Sequence, residues 1–322
     1  MPIPASELVL NADGSIYHLA MRPEDVADLV LTVGDPGRVP KVARHFDSVQ
    51  SEREKREFRS CTGWLGAQRV TVLSTGIGTD NIDIALNELD ALVNINLATR
   101  QPLDHTRSLT IVRLGTSGSL QQDVPVGSLV VSSHGLGLDG LLDFYRAPAH
   151  LVQWGPVAEA RKPALDHAIA PVLDPLSGLQ AGAPASSGAD LPLPWPGELD
   201  HFPLRPYLCA ADAGLLAQFG PEYVRGITAT CPGFYGPQGR RLRLEPVLPD
   251  LPQRLGRLRF GAHRVTNFEM ETAAIYGLGA LLGHRCLSLN VILANRITGE
   301  FAPDPAAAVE GLIQSVLGVL GK

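Results

Sequence analysis

The sequence predicts an α/β fold. Short apolar, β-branched runs alternate along the chain with longer segments of helical period, which is how strands and the helices joining them are written in such folds. The 322 residues, 45% of them hydrophobic, suffice for a large core. That length suits one elaborated domain, since α/β domains often extend to about 250 residues or more.

Leu29–Val33 is the first candidate strand, five apolar or β-branched residues that end at a glycine. A helical pattern over Arg38–His45 follows, then a second strand at Arg69–Ser74. The next helix, Ile82–Val93, carries Ile82, Ala85, Leu86, Leu89 and Val93 at i, i+3, i+4 spacing, so one face should pack on a sheet. Strands at Thr110–Leu114 and Ser128–Ser132 come next, then a helix at Val157–Val172 and a strand at Gly226–Thr230. A helix over Glu271–Leu282, a strand over Cys286–Leu293 and a last helix over Asp304–Leu320 complete the series. Two proline-rich stretches break the rhythm, Pro184–Pro206 and Pro232–Pro252. Loops of that length in a compact domain tend to be peripheral or functional. The first reads as a peripheral insertion, and the second as functional for the motif it contains. The expected organisation is one domain over 1–322 with an insertion around 184–206.

Composition excludes several classes. With 33 acidic and 27 basic residues the net charge is −6, and no dense basic block offers the positive stripe a nucleic-acid backbone requires. Only Lys41, Lys55, Lys162 and Lys322 are lysines, so 23 of the basic residues are arginines. Coding bias explains such an excess, and so do arginines used as forks for an anion; composition alone does not choose. Cys61, Cys209, Cys231 and Cys286 form no CxxC pair, which leaves zinc spacing and a disulfide framework unsupported. They read as buried small hydrophobes in a reducing compartment. The N-terminus lacks a charged segment followed by an apolar one, and no run of about 18 apolar residues occurs. A cytoplasmic protein without membrane contact is expected.

Five constellations carry candidate chemistry. Gly34-Asp35-Pro36-Gly37-Arg38 follows the first strand and opens a helix; it reads either as a plain turn with a surface arginine or as a helix-start anion site with Arg38 as its fork. It matches neither GxGxxG nor a Walker A loop. Ser74-Thr75-Gly76-Ile77-Gly78 again links strand to helix, and its glycines permit close backbone approach to a neighbour or a ligand. Arg113 stands inside an apolar strand, where a guanidinium needs an acceptor: a carboxylate, or an anionic ligand. Gly115-Thr116-Ser117-Gly118 then places hydroxyls and N–H groups at the strand's carboxyl end, where open α/β sheets bind ligands. Phe234, Gln238 and Arg240 combine a flat face, an amide and a guanidinium, a set able to read a planar heterocycle, though a surface loop is the plainer reading. Asn267-Phe268-Glu269-Met270-Glu271 precedes an Ala-rich helix. Its acids suit helix capping; alternatively, one holds a sugar diol with Met270 against the sugar face.

These five motifs, in this order from about His18 to Thr298, resemble the nucleoside phosphorylase family, and its uridine phosphorylase branch in particular. The resemblance implies a single α/β domain with a central mixed, partly barrel-like sheet flanked by helices, assembled as dimers or hexamers of dimers with shared active sites. It implies phosphorolysis of a pyrimidine nucleoside, uridine plus phosphate giving uracil and ribose 1-phosphate, in nucleoside salvage and catabolism. By matched motif, Gly34, Arg38, Arg113 and Thr116 would bind phosphate, and Arg56 would reach phosphate in the adjacent subunit's site. His18 would cross the same interface to the ribose 5′-hydroxyl. Met270 and Glu271 match the ribose-binding pair, with Glu269 beside them, and Gly118, Phe234, Gln238 and Arg240 fall at the base. Arg113, Glu271 and Arg240 are the expected catalytic residues. Glu271 would hold the 2′ and 3′ hydroxyls, while Gln238 and Arg240 would stabilise the negative charge developing on uracil.

The same resemblance separates the alternatives. Purine enzymes of the fold place an acid in the late strand, where this chain has Asn295 and Arg296. Nucleosidases use water and have no use for three arginines around phosphate. A non-catalytic nucleoside-binding protein on this scaffold is the reading from a different class. Asn81 stands where the family commonly has a serine that, with the counterpart of Glu57, forms an interface cation site; this argues against a structural potassium ion. No metal and no cofactor are expected, phosphate being a co-substrate.

Overall fold

The computed structural model describes residues 2–155, 191–196 and 205–321. Ten longer strands form the sheet: β1 (Leu29–Val33), β2 (Ser48–Lys55), β3 (Phe58–Leu65), β4 (Gln68–Ser74), β5 (Thr110–Ser119), β6 (Leu129–Gly137), β7 (Tyr207–Ala210), β8 (Val224–Thr230), β9 (His263–Glu269) and β10 (Arg285–Asn295). The helices that matter for the site are α1 (Val39–Ala43), α2 (Thr79–Asn94), α3 (Leu251–Arg257), α4 (Thr272–Leu281) and α5 (Pro305–Leu320).

All six predicted strands exist, several of them longer than their apolar cores. β5 runs five residues past Leu114, through the glycines and hydroxyls of the Gly115–Gly118 motif. The predicted helix Arg38–His45 is shorter than its pattern: Pro36–Arg38 is a 3-10 turn, capped by the Asp35 side chain accepting from Gly37 N, and α1 stops at Ala43. α2 buries the predicted face, with Ile82, Ala85, Leu86 and Leu89 fully enclosed. The predicted helix Val157–Val172 lies outside the described residues, as does most of the Pro184–Pro206 stretch. Leu191, Leu193 and Trp195 within that stretch pack on the core cluster that holds Phe260 and Phe268.

The sheet is mixed and closes on itself in part. β1 lies parallel between β4 and β5, with Thr32 opposite Arg113. β10 runs parallel to β5 and antiparallel to β6, and β8 runs parallel to both β6 and β9. β9 returns to β5 through Asn267 opposite Ser119 and Phe268 opposite Gly118. The ring β5, β10, β6, β8, β9 is thus a closed five-stranded barrel with the open sheet β1, β4, β3, β2 attached. Register shifts between Ile292 and Ala294 and between Gly226 and Ile227 bend the strands that close it. This matches the expected architecture. Strands β2, β3 and β7 and the closing strand β9 are additions to the sequence reading.

Candidate active site

A cavity of about 780 Å³ opens at the carboxyl ends of β1 and β5, beside the barrel closure. Eleven of the thirteen predicted site residues line it: Gly34, Arg38, Arg113 and Thr116; Glu269, Met270 and Glu271; Gly118, Phe234, Gln238 and Arg240. Its size falls within the usual range for small-molecule sites. Strands β5, β9 and β10 and several loops that are far apart in sequence meet there.

The first cluster is built on Arg113. Its guanidinium is buried and donates to Glu271 Oε2 at 2.5 Å and to Asn290 Oδ1 at 2.7 Å, and it lies 3.2 Å from Glu269 Oε2. Gly115 makes this possible: a Cβ there would sit 1.6 Å from the guanidinium. Burial disfavours the charge on Arg113, but Glu269 and Glu271 outweigh it and hold the group above the ordinary arginine range. The carboxylate reading of Arg113 therefore holds, twice over. Arg38 joins it by donating to Leu114 O at 2.9 Å. Burial first, and the neighbouring charge of Arg113 second, pull Arg38 below its usual value. An anion between these two cations would relieve that repulsion.

Glu269 and Glu271 divide two tasks. Glu269 accepts from Thr230 Oγ1 at 2.8 Å and from the backbone N–H groups of Glu271 and Thr272 at 3.0 Å, so it caps α4. Burial is the main influence on its protonation, raising its pKa against the pull of Arg113. Glu271 reaches the other way, accepting from Gly78 N at 2.8 Å, and so ties α4 to the turn before α2. Both acids are buried with Arg113, so a single guanidinium serves two carboxylates.

The second cluster surrounds Phe268. Gly118 lies opposite it across the barrel closure, and a Cβ at Gly118 would come within 2.6 Å of the Phe268 ring. Phe268 was not among the predicted site residues. A glycine inside a strand signals such a close approach, but not which ring makes it. The guanidinium of Arg240 lies 3.7 Å from the centroid of the Phe234 ring and 5.7 Å from that of Phe268; that of Arg296 lies 5.5 Å from Phe268. Arg240 donates to the Gln238 side-chain oxygen and to Phe234 O, while Arg296 donates to Gln238 O. Burial, then the charge of Arg296, brings Arg240 down to about 10. The second proline-rich stretch thus does supply cavity residues, held by two arginines without a carboxylate between them.

His18 and Arg56 do not line the cavity. They lie together elsewhere on the same chain: the Arg56 guanidinium is 6.0 Å from the Tyr17 ring, which stands edge-on to His18 at 4.8 Å. Arg56 occupies the two-residue turn between β2 and β3 with φ +56°, a left-handed conformation that favours glycine. Asn295 is also outside the cavity. Its amide nitrogen donates to Gln121 O and Val124 O and its oxygen accepts from Ile297 N and Thr298 N. Glu57, Asn81, Leu293, Ala294 and Phe301 also line the cavity, and Phe301 arrives through a bridge to Ala294 that no local pattern announces.

Among the described residues, no cluster of His, Cys, Asp and Glu is placed to hold a metal ion, and no helix is long and apolar enough to cross a membrane. All four cysteines are buried thiols.

Comparison with known proteins adds four findings. The model of the phosphorylase superfamily matches residues 28–315. The uridine phosphorylase of Thermococcus kodakarensis is 29% identical over 92% of this chain and 83% of its own length. A Trypanosoma brucei nucleoside phosphorylase, described as showing uridine phosphorylase activity, superposes with a TM-score of 0.74 at 28% identity, covering 98% of this chain and all of that one. A uridine phosphorylase of Phytophthora capsici shares the fold at a TM-score of 0.62 and 22% identity, over 100% of this chain and 97% of that one.

Proposed function

This chain belongs to the phosphorylase superfamily, and from that membership we propose that it is a uridine phosphorylase, converting uridine and inorganic phosphate to uracil and ribose 1-phosphate. The observation that carries the reading is the single cavity that holds a two-arginine anion site, a buried carboxylate pair and an aromatic, amide and guanidinium cluster side by side. Phosphate, sugar and base need those three chemistries in that adjacency.

Phosphate takes the place between Arg38 and Arg113, with the Gly34 backbone and Thr116 completing its contacts. Bidentate guanidinium contacts suit a dianion, and an anion beside Arg38 would offset the burial and the Arg113 charge that disfavour its own. Glu271 accepts hydrogen bonds from the 2′ and 3′ hydroxyls while Met270 packs on the sugar. A phosphate oxygen then attacks C1′ as the bond to the base nitrogen breaks, through an oxocarbenium-like state with the two reactants held in register. The electron pair of the broken bond moves onto uracil, whose carbonyl oxygens meet Gln238 and Arg240. Phe234 and Phe268 stack around the base, and Gly118 leaves room for them.

A second subunit completes the site in this reading. Ile77 and Phe301 are each 65% exposed at the cavity rim, and Phe234 is 51% exposed. His18 and Arg56 do not line this chain's own cavity, which suits contribution to a neighbour's. The reaction belongs in the cytoplasm and uses no cofactor. The purine alternative loses ground on Asn295, whose donors are spent on Gln121 O and Val124 O and whose acceptor is spent on the turn that follows it. The deciding experiment is uridine cleavage with and without added phosphate, with product identification. Ribose 1-phosphate formed only with phosphate supports the reading; full turnover without phosphate, or uridine binding with no uracil released, overturns it.

A further inference from the structure

One carboxylate outside the cavity is satisfied in an unusual way. Glu88, on α2, accepts from the backbone N–H of His18 at 3.0 Å and from that of Leu19 at 2.9 Å, and it lies 2.6 Å from His18 Nδ1. The two residues are 70 positions apart. Its side chain is only 14% exposed and that of His18 29%. Among the described residues no other polar contact holds the imidazole; Tyr17 and Phe58 meet its ring edge-on, at 4.8 and 6.3 Å between centroids. The Tyr17 ring is itself fixed by Lys55, whose ammonium sits 3.9 Å from its centroid while bonded to Asn11 and to Tyr17 O.

An ionised carboxylate only accepts hydrogen bonds. With two backbone donors already on it, Glu88 can close its third contact only if Nδ1 carries the proton. In the neutral ring the lone pair then falls on Nε2. We propose that Glu88 is a positioning residue for the phosphorolysis: it fixes His18 in the Nδ1–H tautomer, so that Nε2 accepts a hydrogen bond from the 5′-hydroxyl of the nucleoside in the neighbouring subunit's site. The inference rests on the shared-site reading above. It makes the 5′-hydroxyl a required donor, and it explains why the backbone at His18 and Leu19 is pinned to α2. An imidazole meant to reach across an interface has few contacts of its own, and one carboxylate sets its height, its plane and its tautomer together.

Two measurements separate this proposal from the reading it rests on. The 15N correlation spectrum of His18 in the intact wild-type enzyme near neutral pH identifies which ring nitrogen carries the proton, and Nδ1 is expected; a proton on Nε2 overturns the proposal whatever the kinetics show. The second is the ratio of kcat/KM for uridine to that for 5′-deoxyuridine in wild type, H18A and E88Q. H18A should collapse the ratio by about tenfold, the scale of one hydrogen bond; an unchanged ratio removes His18 from the ribose and sinks the shared-site reading instead. E88Q presents an amide N–H to Nδ1, forces the opposite tautomer and should lower the ratio nearly as far as H18A does. A ratio unchanged in E88Q but collapsed in H18A overturns the positioning role. Should E88Q fold poorly, E88D keeps the acceptor chemistry and is expected to retain the Nδ1 proton and most of the ratio.

Discussion

Arg113 and Glu271 form a buried ion pair, 2.5 Å from Nη2 to Oε2, that links the interior of β5 to the start of α4 across 158 positions of sequence. The pair sits where the candidate phosphate and ribose positions meet, so it couples the stability of the site to its chemistry. Glu269 shares the same guanidinium at 3.2 Å. Removing the arginine therefore strands two carboxylates.

From this follows the behaviour of Arg113→Ala. Breaking a buried pair on one side costs about 3–5 kcal/mol, because the partner charge stays behind without compensation. The variant should unfold at markedly lower denaturant concentration and should lose phosphate affinity. Adding Glu269→Gln in the same chain removes one stranded charge and should return part of the stability but none of the phosphate affinity. Urea titrations and phosphate KM values for both variants check the two halves separately.

Arg240→Ala should give the complementary profile. Arg240 bonds to Phe234 O and Gln238 and lies by the Phe234 and Phe268 rings, whereas Arg38 and Arg113 bond to Leu114 O, Asn290 and Glu271. Loss of one donor to a developing oxyanion typically costs about 100- to 1,000-fold in turnover. A fall in kcat of that order with phosphate KM changed less than severalfold is the expected outcome. Identical kinetic profiles for the Arg113 and Arg240 variants, with uridine and phosphate varied in turn, would contradict the separation of the two clusters.

Stability and activity should move in opposite directions at Arg56. Its φ of +56° places a branched side chain in left-handed backbone, at a cost of about 1–2 kcal/mol relative to glycine. Arg56→Gly relieves that strain, so thermal unfolding should shift upward or hold steady. If Arg56 serves the neighbouring site, phosphate KM should rise in the same variant. A rise in stability with unchanged phosphate KM would leave the strain without a function and would remove Arg56 from the site.

The sequence showed the apolar strands and the cavity-lining motifs because each is local: a strand ending in glycine, a helix start with acids, an arginine where hydrophobes should be. It hid the elements that are defined by long-range pairing. β2 reads Ser-Val-Gln-Ser-Glu-Arg-Glu-Lys, with one apolar side chain and most residues partly or fully exposed at the sheet's outer edge, so no hydrophobic alternation marks it. β9 is apolar at Val265 and Phe268, yet it is wholly buried from Val265 to Glu269 because Thr266 and Asn267 bond to Thr228, Ser117 and Ile227 O inside the barrel. The closure of β9 on β5 decides that Phe268 faces the cavity, and no local period encodes it. Arg113 advertised its need for an acceptor, whereas the identity of two acceptors more than 150 residues away required the fold.

Asp139 offers the last test, one of the fold alone. It follows β6, and burial raises its carboxyl to about 6, against the opposing hydrogen bonds from Leu141 N and Tyr207 Oη, both at 2.8 Å. The unfolded carboxyl titrates near its ordinary 3.8. Between those two values the folded state holds more proton than the unfolded state, so stability falls as pH rises through that window and levels off above it. The loss amounts to about 2–3 kcal/mol on the scale of one pKa unit per 1.36 kcal/mol. Asp139→Asn keeps an oxygen for Leu141 N and turns an amide N–H toward the Tyr207 hydroxyl oxygen, while abolishing the buried charge. The variant should therefore be more stable than wild type above pH 6 and should lose this contribution to the slope between pH 4 and 6. Denaturant midpoints at pH 4.5 and 7.5 for both proteins decide the matter: parallel profiles would place the Asp139 proton outside the folding equilibrium.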